Sequence, residues 1–181
     1  TLIRGGTVID GTGAPGFEAD VLVCDGRIAK IGPNLKGDRL LDASGAVVSP
    51  GFIDIHTHYD AQVFWDPLLS PSSNHGVTTV CFGNCGVGFA PVKKGKEKYL
   101  INLMEGVEDI PETVLSEGID FCWETFPEYL NALENSNRIM DIGTQVPHSA
   151  LRFFVMGEDG ANHLCKPNEE QISKMKSLLE E

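Results

Sequence analysis

The residues of this chain that are best suited to chemistry are two histidines and a cysteine. His56 and His58 follow an apolar run at 50–55, and Cys85 lies in the Gly-Asn-Cys-Gly motif at 83–86. If the apolar run is a β-strand, residues i and i+2 point to the same side, so both imidazoles face one point in space. Imidazole nitrogens and a thiolate are ligands that suit zinc. The pattern therefore predicts part of a transition-metal site.

Strand parity does not determine the direction of the Cys85 thiol. Cys81, Gly83 and Cys85 share one face only if the chain stays extended, and the glycines in this stretch favour a bend or a bulge. Free cysteine is also among the most buried residue types, so a single cysteine or histidine is more often structural than functional. The residues alone therefore leave two interpretations open, a metal site or ordinary structural side chains.

Three strands must position these residues. Apolar segments at 52–58, 76–82 and 138–146 alternate with longer, partly helical connections, which favours a parallel sheet with crossover helices. In barrel enzymes built from parallel strands and crossover helices, functional side chains lie at the C-terminal ends of the strands. We therefore expect the site at that edge of the sheet.

Helices are predicted within the long connection between the second and third strands and near the end of the chain. Apolar spacing from Lys96 to Met104 predicts one helix in the connection. A capping box formed by Thr125 and Glu128 predicts a second. A similar box that starts at Asn168 predicts the C-terminal helix.

Residues 1–49 are predicted to form a separate small β-layer. Short apolar segments alternate there with turns, and Asp25-Gly26 between two apolar runs indicates a hairpin. The pattern changes near Pro50. We therefore predict an N-terminal β-domain at 1–49 and a β/α domain at 50–181.

Composition disfavours several classes of partner. The net charge of −12 argues against nucleic-acid binding, which needs clustered Lys and Arg. The chain has no run of about eighteen apolar residues, so a membrane partner is not expected.

The five cysteines, an odd number, do not resemble a secreted disulfide framework. A reducing, cytoplasmic location is therefore predicted.

The length of the chain predicts a fragment. The 181 residues fall short of the roughly 250 that a closed (β/α)8 barrel takes. The chain opens at Thr1 on a strand pattern without an initiator methionine, and it ends at Glu181 inside a helical pattern without a stop signal. We therefore expect a piece of a longer protein.

The sequence around the histidines resembles that of a known family. The segment 50–58, preceded by a β-layer with Gly-Gly-Thr-Val-Ile-Asp at 5–10 and Asp-Gly-Arg-Ile at 25–28, resembles the start of an amidohydrolase-superfamily hydrolase. Further motifs are similar to the N-acyl-D-amino-acid deacylase (D-aminoacylase) branch: Tyr-Asp-Ala-Gln at 59–62, His-Gly-Val-Thr-Thr-Val at 75–80, Gly-Asn-Cys-Gly at 83–86, Ala-Pro at 90–91 and His-Ser-Ala-Leu-Arg at 148–152. The resemblance covers nearly the whole chain.

This resemblance implies a fold and a metal centre. The implied fold is α/β, with a small β-sandwich layer before the first three β/α units of an incomplete amidohydrolase (β/α)8 TIM-type barrel. His56, His58 and Cys85 are implied as ligands of one or two Zn²⁺ ions. The cysteine would replace the carboxylated lysine of many relatives, and Cys81 is assigned to the core. An aspartate that acts as the catalytic base is implied beyond residue 181.

Two residues after the third strand are candidates for substrate binding. His148 lies where the resemblance places the catalytic rim, and its alternative role is a hydrogen-bonded rim histidine. Arg152 could bind a substrate carboxylate in a bidentate manner, or it could be the partner in a structural ion pair. The residues leave both alternatives open.

The implied activity is zinc-dependent hydrolysis of the C–N amide bond of N-acyl-D-amino acids, which releases a D-amino acid and a carboxylate. It is expected of the full-length protein and not of residues 1–181 alone. The expected partner is the small-molecule substrate, without nucleic acid or membrane, and a homo-oligomer is possible. The alternatives are another amidohydrolase of the cyclic amidase or dipeptidase type, or a non-catalytic barrel that holds metal or oligomerises.

Overall fold

Five strands form one sheet in the first of the two units into which the chain divides, Thr1–Gly51 and Phe52–Glu181. The computed structural model describes residues 1–181. The strands of the first sheet are β1 Leu2–Val8, β2 Phe17–Cys24, β3 Arg27–Gly32, β4 Leu40–Asp42 and β5 Val47–Val48. Their order is β3-β2-β1-β4, and β5 also pairs with β1. Strands β1 to β3 are antiparallel, whereas β4 and β5 lie parallel to β1.

The hairpin between β2 and β3 is confirmed. Asp25 and Gly26 both have positive φ, 51° and 71°, as a two-residue hairpin turn requires. The small core of this unit is formed by Val8, Ala19 and Val21. Because only one layer is observed, the β-sandwich stays a prediction.

The second unit contains a parallel sheet of three strands, as predicted. The strands are β6 Phe52–Asp54, β7 Val77–Phe82 and β8 Asp141–Thr144, in the order β6-β7-β8. Both flanking strands are thus edges of this sheet. A closed barrel is not formed by these three strands, so the barrel stays a prediction as well.

The first and third of these strands are shorter than predicted. Strand β6 ends at Asp54 instead of His58, because the Asp54 carboxylate accepts a hydrogen bond from the His56 amide at 3.1 Å and turns the chain. The predicted strand at 138–146 is reduced to β8. Its start is lost because the Arg138 guanidinium donates to the carbonyl oxygens of Leu133 and Ser136, which holds Arg138 at the end of the preceding helix.

Six α-helices accompany this sheet. They are α1 Glu97–Glu108, α2 Glu112–Gly118, α3 Phe126–Glu134, α4 His148–Met156, α5 Glu158–Ala161 and α6 Glu169–Glu180. Both predicted capping boxes are present, at Thr125 for α3 and at Asn168 for α6. The long connection holds three helices instead of two, since α2 was not expected. None of the helices is long and apolar enough to cross a lipid bilayer.

The core of the second unit joins the middle strand to the helices of the long connection. Buried side chains from β7, α1, α2 and α3 form one cluster that includes Phe82, Leu100, Leu115 and Tyr129. The Trp123 indole donates a hydrogen bond to the Phe89 carbonyl at 2.9 Å and stiffens this cluster. The core therefore fixes β7 and α1 together, and the site described next lies at the ends of β6 and β7, beside the last residue of α1.

Candidate metal site

His56, His58 and Cys85 come together at the ends of β6 and β7. One potential ligand atom from each residue lies within 4.8 Å of those of the other two. The Cys85 Sγ atom is 3.4 Å from His56 Nε2, and the two imidazole centroids are 5.6 Å apart. Ligands bonded tetrahedrally to zinc at its usual distances are separated by about 3.3–3.8 Å. The Cys85–His56 separation lies in this range, and the His58 nitrogen lies within 4.8 Å of both atoms, so the two nitrogens and the thiolate could converge on one zinc ion.

The two histidines do not reach this point by strand alternation. They lie beyond the end of β6, on either side of Thr57. The Thr57 amide and its hydroxyl both donate to the Cys81 carbonyl, each at 2.8 Å. Since Thr57 is buried and bound to the neighbouring strand, the residues before and after it are carried to the edge of the sheet where Cys85 lies.

Cys85 is directed by the turn that follows β7. Gly83, Cys85 and Gly86 all have positive φ, at 82°, 55° and 77°. A left-handed conformation is uncommon for a cysteine and lies outside the strand geometry on which parity arguments depend. The bend expected from the two glycines is therefore present, and it is sharper than a single bulge.

Asn84 holds this turn against three strand ends. Its Nδ2 atom donates to the carbonyl oxygens of Thr57 at 3.2 Å and Cys81 at 3.1 Å. Its Oδ1 atom accepts a hydrogen bond at 2.9 Å from Gln145, the residue directly after β8. The side chain of Asn84 thus links the ends of β6, β7 and β8, and it fixes the backbone from which Cys85 projects.

Gly83 is required by a close approach of two backbones. A Cβ atom at this position would lie 2.2 Å from the Gln145 carbonyl oxygen. The Gln145 amide in turn donates to the Phe82 carbonyl at 3.0 Å, so β8 is held tightly against the turn. Both the positive φ and the lack of space therefore call for glycine.

Two carboxylates lie close to the histidine pair. His58 Nδ1 is 3.3 Å from Glu108 Oε1, and each side chain is mostly shielded from solvent. Asp60 is 1% exposed, and its Oδ2 atom has no hydrogen-bond partner. Burial raises the pKa of Asp60 to about 7, the nearby Glu108 carboxylate raises it further, and the amides of Asp60 and Gly83 oppose the shift.

The two candidate substrate residues have different surroundings. His148 is the exposed first residue of α4, and its Cβ is 3.4 Å from the position that a Cβ on Gly86 would take. It therefore lies beside the cysteine turn. Arg152 donates from Nε to the Gly160 carbonyl and from a terminal nitrogen to those of Asn162 and Cys165. These bonds tie down the chain after α4 and favour a structural role for Arg152, with backbone carbonyls as its partners instead of the ion pair that was the alternative.

Three residues of the site were not found from the sequence. Asn84 lies within a recognised motif, so its position next to Cys85 could have been a signal. Asp60 was recognised only as part of the family motif Tyr-Asp-Ala-Gln at 59–62. Glu108 lies fifty residues after His58 in the sequence and carries no local pattern that connects the two.

Comparison with known proteins extends what the geometry indicates. Residues 39–173 match the sequence model of the amidohydrolase family. The chain is 37% identical over 182 residues to the D-aminoacylase of Alcaligenes xylosoxydans xylosoxydans. The aligned region covers 99% of this chain and 34% of that protein. This identity confirms the resemblance to the N-acyl-D-amino-acid deacylase branch.

Solved structures agree with the sequence comparison. A crystal structure of D-aminoacylase matches with a TM-score of 0.78 and 37% identity, over 98% of this chain and 35% of that one. A crystal structure of N-acyl-D-glutamate deacylase from Bordetella bronchiseptica, complexed with zinc and a phosphonate inhibitor, matches with a TM-score of 0.75 and 33% identity over the same shares. These matches show a mixed α/β fold similar to that of the D-aminoacylases.

The chain spans about a third of the length of these relatives. The family match nevertheless covers most of the chain, and it includes the two histidines and the cysteine. On this evidence the chain belongs to the amidohydrolase family.

Proposed function

We propose that the full-length protein is a zinc-dependent hydrolase that cleaves the amide bond of N-acyl-D-amino acids. The observation that carries this proposal is the convergence of His56, His58 and Cys85 at one edge of the parallel sheet. The similarity to D-aminoacylase and to a zinc-containing N-acyl-D-glutamate deacylase supports the substrate class and the metal. The expected substrate is thus a small acylated amino acid.

His56, His58 and Cys85 would bind zinc, either as a single ion or as a pair of ions. Zinc, when bound, supplies a Lewis acid that polarises the amide carbonyl and activates a water molecule. The protein contributes a fixed donor set: Thr57 holds the segment between the two histidines, and Asn84 holds the turn that aims the thiolate. A cysteine ligand also supplies a full negative charge without the carbon dioxide that a carboxylated lysine requires.

The proposed base is an aspartate in the part of the full-length protein that follows residue 181. Asp60 is the nearest buried carboxyl to the histidines, but it is 1% exposed and therefore inaccessible to a substrate. His148 remains the proposed substrate-binding residue, since it is exposed beside the cysteine turn. Arg152 is the weaker candidate, because three backbone carbonyls already occupy its guanidinium.

We also propose the architecture that the resemblance implies. Residues 50–181 would supply the first three β/α units of a (β/α)8 barrel, and residues 1–49 would supply part of a β-sandwich. The parallel order β6-β7-β8 and the position of the site at the C-terminal ends of these strands support the barrel. The exposed apolar side chains of β6, Phe52 at 63% and Ile53 at 64%, suit an edge that further strands cover.

The decisive experiment measures zinc content and deacylation in the full-length protein. Wild type should contain zinc and hydrolyse an N-acetyl-D-amino acid faster than its L enantiomer. Cys85→Ala and His58→Ala should lose zinc and at least about 100-fold in kcat/KM, because each removes a ligand. Cys122→Ala is the matched control, since Cys122 is exposed and is not among the three clustered residues.

Three results would overturn the proposal. Unchanged zinc content in Cys85→Ala and His58→Ala would refute the metal site. Hydrolysis of hydantoins or dipeptides in place of N-acyl-D-amino acids would refute the substrate class and support the cyclic amidase or dipeptidase alternative. Zinc binding without any hydrolysis of these substrates would instead support the non-catalytic alternative.

A further inference from the structure

Glu108, at the C-terminal end of helix α1, lies next to the candidate metal site. The buried residues of α1 include Ile101 and Met104, and Glu108 continues the same face at spacings of seven and four residues. The apolar stripe that anchors α1 in the core therefore ends in a carboxylate. This stripe fixes the position of Glu108, whose Oε1 atom is 3.3 Å from His58 Nδ1.

A carboxylate at this position is unfavourable unless it has a positively polarised partner. Glu108 is the last residue of α1, and the C-terminal end of a helix carries partial negative charge, which disfavours an acidic side chain. His58 Nδ1 is buried and makes no hydrogen bond to any other group, and Glu108 Oε1, at 3.3 Å, is the carboxylate oxygen that faces it.

We infer that Glu108 is a positioning residue that accepts the Nδ1 proton of His58 and so orients this imidazole for metal binding. An Nδ1–H that faces a carboxylate leaves Nε2 as the free donor atom, fixes the tautomer, and makes the imidazole a stronger ligand. Glu108 thus couples α1, a helix of the long connection, to the metal site. This inference rests on the proposed zinc site, because it assigns a role toward a ligand of that site.

The test compares zinc affinity among variants of the full-length protein by competition with a chromophoric chelator. Glu108→Ala should weaken zinc binding about 10–100-fold, the usual effect of removing a carboxylate partner of a ligating histidine. Glu108→Gln keeps an acceptor oxygen but loses the charge, so its loss should be smaller. The visible absorption of the Co²⁺-substituted protein should shift in both variants, whereas the melting temperature of the metal-free protein should change little.

Glu105→Gln is the matched control. Glu105 is on the same helix and is exposed, and it accepts a hydrogen bond from the Glu112 amide that glutamine can also accept. It should bind zinc as wild type does. Wild-type affinity and an unchanged Co²⁺ spectrum in both Glu108 variants would overturn the inference, and so would an equal loss in Glu105→Gln. If wild type itself binds no zinc, the proposed function fails instead, so the two failures are distinguishable.

Discussion

The cysteine and the histidines of the candidate site are held in different ways. Cys85 is fixed by the conformation of its turn, which has three positive φ angles and which the Asn84 side chain binds to the ends of three strands. The histidines follow a strand of only three residues, and they are placed by the bonds of Thr57 and by the neighbouring Glu108. One side of the site is thus built into the sheet, and the other depends on a few side chains.

This difference predicts where the site tolerates change. Substitutions around the cysteine should damage the fold itself, because the turn and the sheet share hydrogen bonds. Substitutions of the histidines should affect the metal and leave the fold nearly intact. The cost in unfolding free energy therefore measures how far each side of the site is part of the sheet.

Gly83→Ala should be the most damaging change. The added Cβ would meet the Gln145 carbonyl oxygen at 2.2 Å, and alanine would have to adopt a φ of 82°. We expect the free energy of unfolding to fall by about 3–5 kcal/mol, the range of a backbone clash combined with conformational strain. Urea unfolding measures this loss.

Gly95→Ala separates the effect of the backbone clash from the effect of the conformational strain. Gly95 also has a positive φ, 79°, but a Cβ there would have no atom within 4 Å. It should cost only the conformational strain, about 1–2 kcal/mol. Equal losses in the two variants would show that the cysteine turn is not packed against β8 as described.

Asp60, buried beside the histidines, should make the stability of the metal-free protein fall as pH rises. Burial raises its pKa from 3.8 to about 7, so between these values the folded state keeps a proton that the unfolded chain has lost. The free energy of unfolding should therefore decrease across this window, by up to about 4 kcal/mol at roughly 1.4 kcal/mol per unit.

The check is the difference in pH dependence between wild type and Asp60→Asn. The variant cannot ionise, so its stability should be flatter between pH 4 and pH 8 in the presence of a chelator. Parallel curves for the two proteins would contradict the burial of an unpartnered carboxyl at this position.

Local signals explain which parts of the fold were predictable. The capping boxes at Thr125 and Asn168 depend on residues three apart, so their helices begin where the sequence indicates. Helix α4 was missed because Pro147 precedes it without a capping side chain, and 148–152 was considered only as a site motif. The strand at 138–146 was too long because the bonds of Arg138 to the end of α3 are not visible in an apolar pattern.

The geometry of the site was even less predictable, because it depends on contacts that leave no local signal in the sequence. The three proposed ligands could be named from residue types and a family resemblance, but the reason they meet was different. Alternation along a strand was expected to align His56 and His58, whereas the strand ends at Asp54 and Thr57 carries them. Glu108 could not be found, because its relation to His58 exists only once α1 is packed.

Asn84→Ala should have an intermediate effect on the cysteine side. It removes two donated hydrogen bonds and leaves the Gln145 amide without its acceptor. The expected loss is about 1–3 kcal/mol, because Cys81 O keeps its two bonds from Thr57 and the exposed Gln145 side chain can turn to water. Thermal unfolding measures the loss, and zinc affinity should fall with it since Cys85 is no longer aimed. Wild-type affinity in a folded Asn84→Ala protein would show that the turn holds Cys85 without this side chain.

His56→Ala should have the smallest effect on stability and a large effect on metal. His56 is exposed, and its side chain meets only other members of the metal site, Cys85 Sγ at 3.4 Å and the His58 ring with centroids 5.6 Å apart. The free energy of unfolding of the metal-free protein should change by no more than about 0.5 kcal/mol, as for an exposed residue. Zinc affinity should fall at least about 100-fold, because a ligand is lost. His163→Ala, at another exposed histidine, should change neither quantity. If His56→Ala instead destabilised the metal-free fold as much as Asn84→Ala does, the histidines would be part of the sheet framework too, and the contrast between the two sides of the site would not hold.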